Sequence, residues 1–487
     1  MTASPLSATT GQGTEAEDTP GGVCPYLGDT GTTPQQETEW HTYTARLEAT
    51  PYRVAVGDRV ELTGNGYVPG ATVELVWYSA VGHYEIRDHT EFIGQRYNPT
   101  TDVVAVAVAD AAGEIRASFV VPVDFGGPHD IRARVNGLEE AQAGVLLTPT
   151  WSISSTEGPI GADIEIHVTG IDYRISINTW HVMWDNHYLG LMTGVTTRGV
   201  ATARIRAAGP AGKHYLAIWN NSYQSTPYLA FYRSPFRDQF EVPIEFIYTV
   251  TADEGAPPTS CDDFSADDNP QPVETIGQSR VTLSPDRCFI GDSVTMKAAN
   301  LPPHTDVDVY WRTTAGDRVN VGGITEYQGR LGTARTTANG EFTFDFVAPD
   351  DLGGSHRMEL KAGDELVAVT CLVVMPKMVS YTKKVKAGEK IDVHLHGTGW
   401  STYENTYAAT WDNSYIGYAC GFSTQGDMQF HFTATGAPGT HLLDLYPTIY
   451  KGADEMPKVY SLPQLTYADD HPERKTPAFR LAVEVTE

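Results

Sequence analysis

The chain repeats itself, and that repetition constrains its fold more than any other feature. PYRVAVGDRVEL (51–62) lies over PDRCFIGDSVTM (285–296) at an offset of 234 residues, and Trp77 and Trp311 keep that offset. AAGEIRASFVVP (111–122) then lies over ANGEFTFDFVAP (338–349) at 227, so the second copy is shorter by seven residues between those points. The 227 offset persists through WDNHYLG (184–190) over WDNSYIG (411–417) and GPAGKH (209–214) over GAPGTH (436–441). A fixed period of this kind signals a duplicated structural unit. Each half divides again, because a Gly-x-His step before a final strand occurs four times, ending at His129, His214, His356 and His441.

Four modules of about 100 residues each suit a chain of 487 residues. They are expected at 40–149, 150–250, 280–375 and 376–487, in the order A–B–A′–B′. Residues 1–39 read as a flexible or extended tail, without the basic and apolar regions of a signal peptide. Residues 251–279 are acidic, Pro-containing and poor in apolar side chains, and read as a linker. Within the modules, RVELTGNG, ATVELVWYS, IRASFVVP and HDIRARVNG alternate apolar and polar residues as half-buried strands do. Gly-Asp, Pro-Gly, Asn-Gly and Gly-Gly steps punctuate them every 8–12 residues or so, a pattern that leads to Greek-key sandwiches. The expected fold is all-β: four tandem immunoglobulin-like antiparallel β-sandwiches.

TGNGYVPGATVELVW (63–77) resembles the opening of bacterial immunoglobulin-like modules of the IPT/TIG type, and GEIRASFVVPVDFGGPHDIRARV (113–135) is similar to their closing strands. The resemblance covers about nine tenths of the chain and implies sandwich modules that act as spacers and docking surfaces. It implies no ligand.

The chain carries 34 Lys and Arg against 61 Asp and Glu, a formal charge of −27. Such a surface repels phosphate backbones, so nucleic acid is not an expected partner. No stretch has the roughly 18 apolar residues that would cross a bilayer as a helix. G-x-S-x-G, H-E-x-x-H, Walker A and dinucleotide fingerprints are absent from the sequence, and neither an enzyme nor a cofactor is expected.

The sharpest local motif is W-D-N-x-Y-x-G: Trp184, Asp185, Asn186 and Tyr188 in the first copy, Trp411, Asp412, Asn413 and Tyr415 in the second. Asp-Asn tolerates left-handed backbone, so the pair reads as a hairpin tip. Its Trp either plugs the core or serves, with the Tyr, as an aromatic platform for a glycan or a protein. His394 and His396 have the period-two spacing that puts two rings on one face of a strand. Their counterparts are His167 and Thr169, and no ligand cluster of established spacing accompanies them, so no metal is expected. The acidic run at 262–268 pairs its carboxylates instead of alternating them and lacks the central Gly of a calcium loop. The Gly-x-His histidines are expected to open strands, with each ring bonded to a neighbouring loop.

Five cysteines are present. Cys288 and Cys371 lie near the start and end of the third module, and the other copy has Val54 and Gly144 there, so a disulfide between them is the expectation. Cys24 and Cys261 precede the two halves at comparable places and form a second candidate bridge, leaving Cys420 over. Bridges would place the chain outside the cell or at its surface. The leading functional expectation is a non-enzymatic structural or adhesive protein of a bacterial surface or extracellular assembly, docking partner proteins or copies of itself. The alternatives are a carbohydrate-binding protein and an accessory subunit of a larger enzyme or electron-transfer complex.

Overall fold

The computed structural model describes residues 43–87, 91–174, 177–221, 227, 229, 243–252, 261–262, 274–317, 323–449 and 461–487. The tail, most of the linker and Cys24 lie outside them. By its contacts the chain forms two compact units, Met1–Val81 with Tyr97–Thr150, and Gly82–Arg96 with Trp151–Glu487.

The first sandwich contains β1 (Arg46–Thr50), β2 (Arg53–Val54), β3 (Arg59–Asn65), β4 (Thr72–Arg87), β5 (Glu91–Val108), β6 (Ile115–Val120), β7 (Gly127–Val135) and β8 (Leu138–Leu147). One sheet runs β1-β3-β6 and the other β2-β8-β7-β4-β5. The opening strand thus changes sheets: β1 pairs antiparallel with β3, and β2 pairs parallel with β8. Alternation in the sequence becomes alternation in burial. Along β3, Val60 and Leu62 are fully buried while Arg59 and Glu61 face water. These two meet Leu75, Trp77, Ile131 and Val145 from the facing sheet in one core.

The second sandwich contains β9 (Thr150–Ile153), β10 (Glu157–Gly158), β11 (Asp163–Thr169), β12 (Thr179–Trp184), β13 (His187–Met192), β14 (Ala201–Arg206), β15 (Gly212–Asn221) and β16 (Ile244–Val250). Its sheets run β14-β11-β9 and β10-β16-β15-β12-β13. Next comes β17 (Cys261–Asp262), inside the stretch read as a linker. The third sandwich contains β18 (Arg280–Ser284), β19 (Arg287–Cys288), β20 (Ser293–Ala299), β21 (Asp306–Asp317), β22 (Gly323–Arg335), β23 (Phe342–Val347), β24 (Gly354–Ala362) and β25 (Glu365–Val374). The fourth contains β26 (Lys377–Tyr381), β27 (Lys384–Lys386), β28 (Lys390–His396), β29 (Thr406–Trp411), β30 (Ser414–Cys420), β31 (Met428–Thr433), β32 (Gly439–Pro447) and β33 (Phe479–Thr486). The same two-sheet arrangement recurs in both, and β17 adds to the fourth by pairing antiparallel with β33. The fold is therefore all-β, four immunoglobulin-like sandwiches in tandem.

Within the second unit the two B-type sandwiches share a boundary. Tyr446 and Leu465 of the fourth belong to the core of the second. Leu191 forms a parallel bridge with Gln464, its amide donating to Pro463 O at 2.9 Å. A satellite cluster joins Leu191 to Phe92, Tyr403, Ile449 and Tyr467.

Candidate functional site

Both W-D-N-x-Y-x-G motifs are hairpin tips. Asp185 and Asn186 have φ of 49° and 64°, and Asp412 and Asn413 have 48° and 61°. Two successive left-handed residues make the turn that matches the twist of paired strands. Asp185 accepts from the amide of Tyr215 (2.9 Å) and lies 2.6 Å from His214 Nδ1. Asp412 repeats both contacts with Leu442 (2.9 Å) and His441 (2.5 Å). The turn carboxylate thereby fastens the hairpin to the next strand.

The tryptophans lie inside. Trp184 is 2% exposed and Trp411 6%. Each stacks on the histidine of the following Gly-x-His step, at 5.3 Å and 17° for His214 and 5.1 Å and 6° for His441. This corrects the reading of these rings as a sugar platform: no face of either indole is open to a sugar. Tyr188 and Tyr415 pack edge-to-face on each other at 6.4 Å, and the Tyr415 hydroxyl donates to Ser461 O at 2.7 Å. The two motifs therefore meet at the boundary between sandwiches. Gly190 is part of that fit, because a Cβ there would lie 2.7 Å from Pro463 O, whereas at Gly417 it would meet nothing within 4 Å.

A buried ion network joins the same sandwiches. Arg206 on β14 donates to the Asp444 carboxylate of β32 and to Leu481 O (2.7 Å). Arg480 on β33 reaches Asp444 (3.2 Å), the Tyr446 hydroxyl (2.6 Å) and Arg204 O (2.7 Å). Asn413 donates to Arg206 O at 2.7 Å.

The Gly-x-His rings bond neighbouring loops. His129 has its nitrogens 2.9 Å from Tyr78 O and 2.7 Å from Phe125 O, and His356 repeats this with Arg312 O and Leu352 O. Both rings stack on a tryptophan, Trp77 and Trp311, whose indole N–H donates to Asp124 and Asp351. Burial pushes the pKa of His356 below the ordinary histidine value, against the opposing pull of its carbonyl bonds. Burial also acts downward on His441, but the hydrogen bond and charge of Asp412 outweigh it and raise that pKa.

Cys288 and Cys371 are free thiols, contrary to the expected bridge. The reason is strand parity. Cys288 pairs with Val374 across the parallel β19–β25 ladder, three residues beyond Cys371. An odd separation along a strand sends side chains to opposite faces, so Cys288 joins the core with Leu372 and Val374 while Cys371 does not. Burial pushes the Cys288 thiol up to about 12 and raises Cys371 as well. The second candidate bridge falls outside the described side chains, since only the backbone of Cys261 is described.

His394 and His396 share the outward face of β28, and the structure adds a third group that sequence spacing did not reveal. Asp427 Oδ1 lies 2.5 Å from His394 Nε2 and 3.3 Å from His396 Nε2.

The first unit presents a different feature. Strand β5 ends its sheet, and its far half carries Val103, Val106 and Val108 at 50–64% exposure. The corresponding positions of β22 in the second copy are Arg330, Thr333 and Arg335. There Arg330 pairs with Asp308 at 2.5 Å and Arg335 with Asp306 at 2.9 Å. Charged side chains of this sort protect an edge strand from pairing with another chain. The first copy has aliphatic side chains at all three places.

No protein-family model matches the chain, and no curated protein matches it. Solved structures that align with it include the alkylpurine DNA glycosylase AlkC of Pseudomonas fluorescens bound to abasic-site DNA (14% identity, TM-score 0.15, 22% of this chain). The alignment spans only 31% of that enzyme. The ICAM-5 D1–D4 ectodomain fragment aligns over 91% of this chain and 100% of its own, at 11% identity and TM-score 0.17. A putative membrane-anchored protein of Corynebacterium diphtheriae aligns over 89% and 94%, at 12% identity and TM-score 0.19. Superpositions at such scores carry no argument about function, and the fold rests on the sheets themselves.

Proposed function

We propose that the chain is a non-enzymatic structural protein of a bacterial surface or extracellular assembly that docks a protein strand along the β5 edge of its first sandwich. One observation carries this reading: the aliphatic edge at Val103, Val106 and Val108, set against the ion-paired edge at the same places in the duplicate. A strand at the end of a sheet offers a row of N–H and C=O groups to an incoming segment, and alternate side chains give that segment its specificity. Pro99 has no N–H to offer, so the usable edge begins beyond it. The occupant is a partner protein or another copy of this chain.

The test transplants the second copy's residues into the first: Val103→Arg, Val106→Thr and Val108→Arg together. Wild-type chain should sediment as a self-assembly or co-purify from its source with a stoichiometric protein, and the triple variant should lose that association by more than about tenfold. A folded variant that retains the association, or a wild-type chain that is monomeric and unaccompanied, would remove the basis for the proposal.

A further inference from the structure

Strand β28 is hydrogen-bonded on both sides, to β26 and to β31, which makes it a fixed platform for the side chains it presents. We propose that His394, His396 and Asp427 form a binding site for one divalent transition-metal ion of the zinc type. The potential ligand atoms of the three lie within 4.8 Å of one another. Zinc held at 2.0–2.1 Å in a tetrahedron separates its ligands by about 3.3 Å, and His396 Nε2 is 3.3 Å from Asp427 Oδ1. The 2.5 Å approach of His394 Nε2 must open by about 0.8 Å to reach the same edge length. All three side chains are partly exposed, so rotation alone can supply that movement.

The donor set selects the class of ion. Two imidazoles and one carboxylate suit zinc, copper or nickel, whereas calcium and magnesium favour all-oxygen sites. Outer contacts orient the carboxylate: Gln429 donates to Asp427 Oδ2 at 3.1 Å, and the Asp427 amide donates to Thr424 O at 3.0 Å. The turn before it depends on Gly426, whose φ of +81° favours glycine and where a Cβ would lie 3.0 Å from Leu352 Cα. Lys377 is opposite His396 in register, but its ammonium sits over the Phe289 ring at 5.3 Å. Three protein ligands leave at least one coordination position open. A recess of about 260 Å³, lined by Ile290, Lys377, Met378, Val379 and His396, borders one of the three ligands.

The duplicate serves as an internal control. Its corresponding residues are His167, Thr169 and Val200, and His167 Nδ1 lies 3.1 Å from Thr202 Oγ1. Two of the three ligands are missing from that copy.

Titration calorimetry of the full chain with zinc ion alone, after chelator treatment, tests the site. Wild type should take up one equivalent that is weakened at least about tenfold in each of His394→Asn, His396→Asn and Asp427→Asn, while His167→Asn binds as wild type does. Circular dichroism checks that each variant is folded, and the imidazole resonances of His394 and His396 should shift with the first equivalent of zinc in wild type. Absence of zinc uptake, or uptake that survives unchanged in all three variants, as binding at cysteines would, overturns the assignment.

Discussion

Replacing Asp444 with Asn should weaken the second unit more than any surface substitution could. Asp444 and Arg206 are both buried, and Asp444 also receives Arg480. The change keeps the shape of the side chain and removes the carboxylate that these two guanidinium groups share. An uncompensated buried charge typically destabilises by about 3–5 kcal/mol. At an unfolding entropy of about 2.1 cal/mol/K per residue, the roughly 350 residues of the second unit shift by about 1.4 °C per kcal/mol, so the melting temperature should fall by about 4–7 °C. Scanning calorimetry reads the transition, and faster amide exchange at 201–206 and 479–485 would locate it in the two B-type sandwiches. High salt should not reproduce the loss, because buried pairs are little screened. The triple variant Arg206→Met, Asp444→Leu, Arg480→Met should recover most of it, since apolar replacement of a whole buried ion cluster is often neutral or stabilising. A variant within about 0.5 kcal/mol of wild type, the range of an ordinary surface change, would refute the reasoning.

Two further outcomes follow from the same geometry. The raised pKa of His441 means that the folded state holds its proton more tightly than the unfolded chain does. Its contribution is complete below about pH 6.5, the ordinary histidine value, and disappears as pH rises through the folded-state pKa. His356, with a lowered pKa, behaves oppositely: its contribution is complete above about pH 6.5 and is lost as pH falls through the folded-state value. Urea midpoints measured from pH 5 to 9 should therefore lose part of their alkaline decline in His441→Gln and part of their acid decline in His356→Gln; unchanged slopes would count against both assignments. Asn186→Ala and Asn413→Ala remove the same left-handed turn residue, but only Asn413 spends its amide on a buried carbonyl, that of Arg206. The second should cost about 1–3 kcal/mol more by calorimetry, and equal losses would mean that this hydrogen bond contributes nothing.

Period-two alternation, turn residues and the duplication made the sandwiches legible, because each reflects a local rule: which face a side chain takes and where the backbone can reverse. The Asp-Asn turns and the ring bonds of the Gly-x-His histidines were legible for the same reason. What was hidden depended on a second surface. Trp184 sits on a hairpin either way, and only the position of His214 decides that its face is covered. Asp427 is separated from His396 by thirty intervening residues, and the β28–β31 register, with His394 opposite Gln429, brings it near. That register could have been inferred by pairing the strands as the fold requires. The disulfide expectation fails on parity: strand adjacency brings Cys288 alongside β25, but Cys371 lies three residues from its partner Val374 and takes the opposite face.

The duplication also explains where the two halves differ. Buried positions correspond closely, as Trp77 with Trp311 and Trp184 with Trp411 show, because a change there leaves a cavity or strain on both sides of the core. Exposed positions carry no such penalty and can diverge one by one. The core admits exchanges of similar size, as Val54 against Cys288 shows, whereas changes of chemical character fall on surfaces: aliphatic Val103, Val106 and Val108 against charged Arg330 and Arg335 with Thr333, and His394 with His396 against His167 with Thr169. Asn186 faces water, while Asn413 has been drawn into the boundary with Arg206. A chain assembled from two equivalent units would offer two equivalent docking faces. This one carries ion pairs on one edge strand and aliphatic side chains at the corresponding places of the other, so the docking proposed above would use the first copy alone.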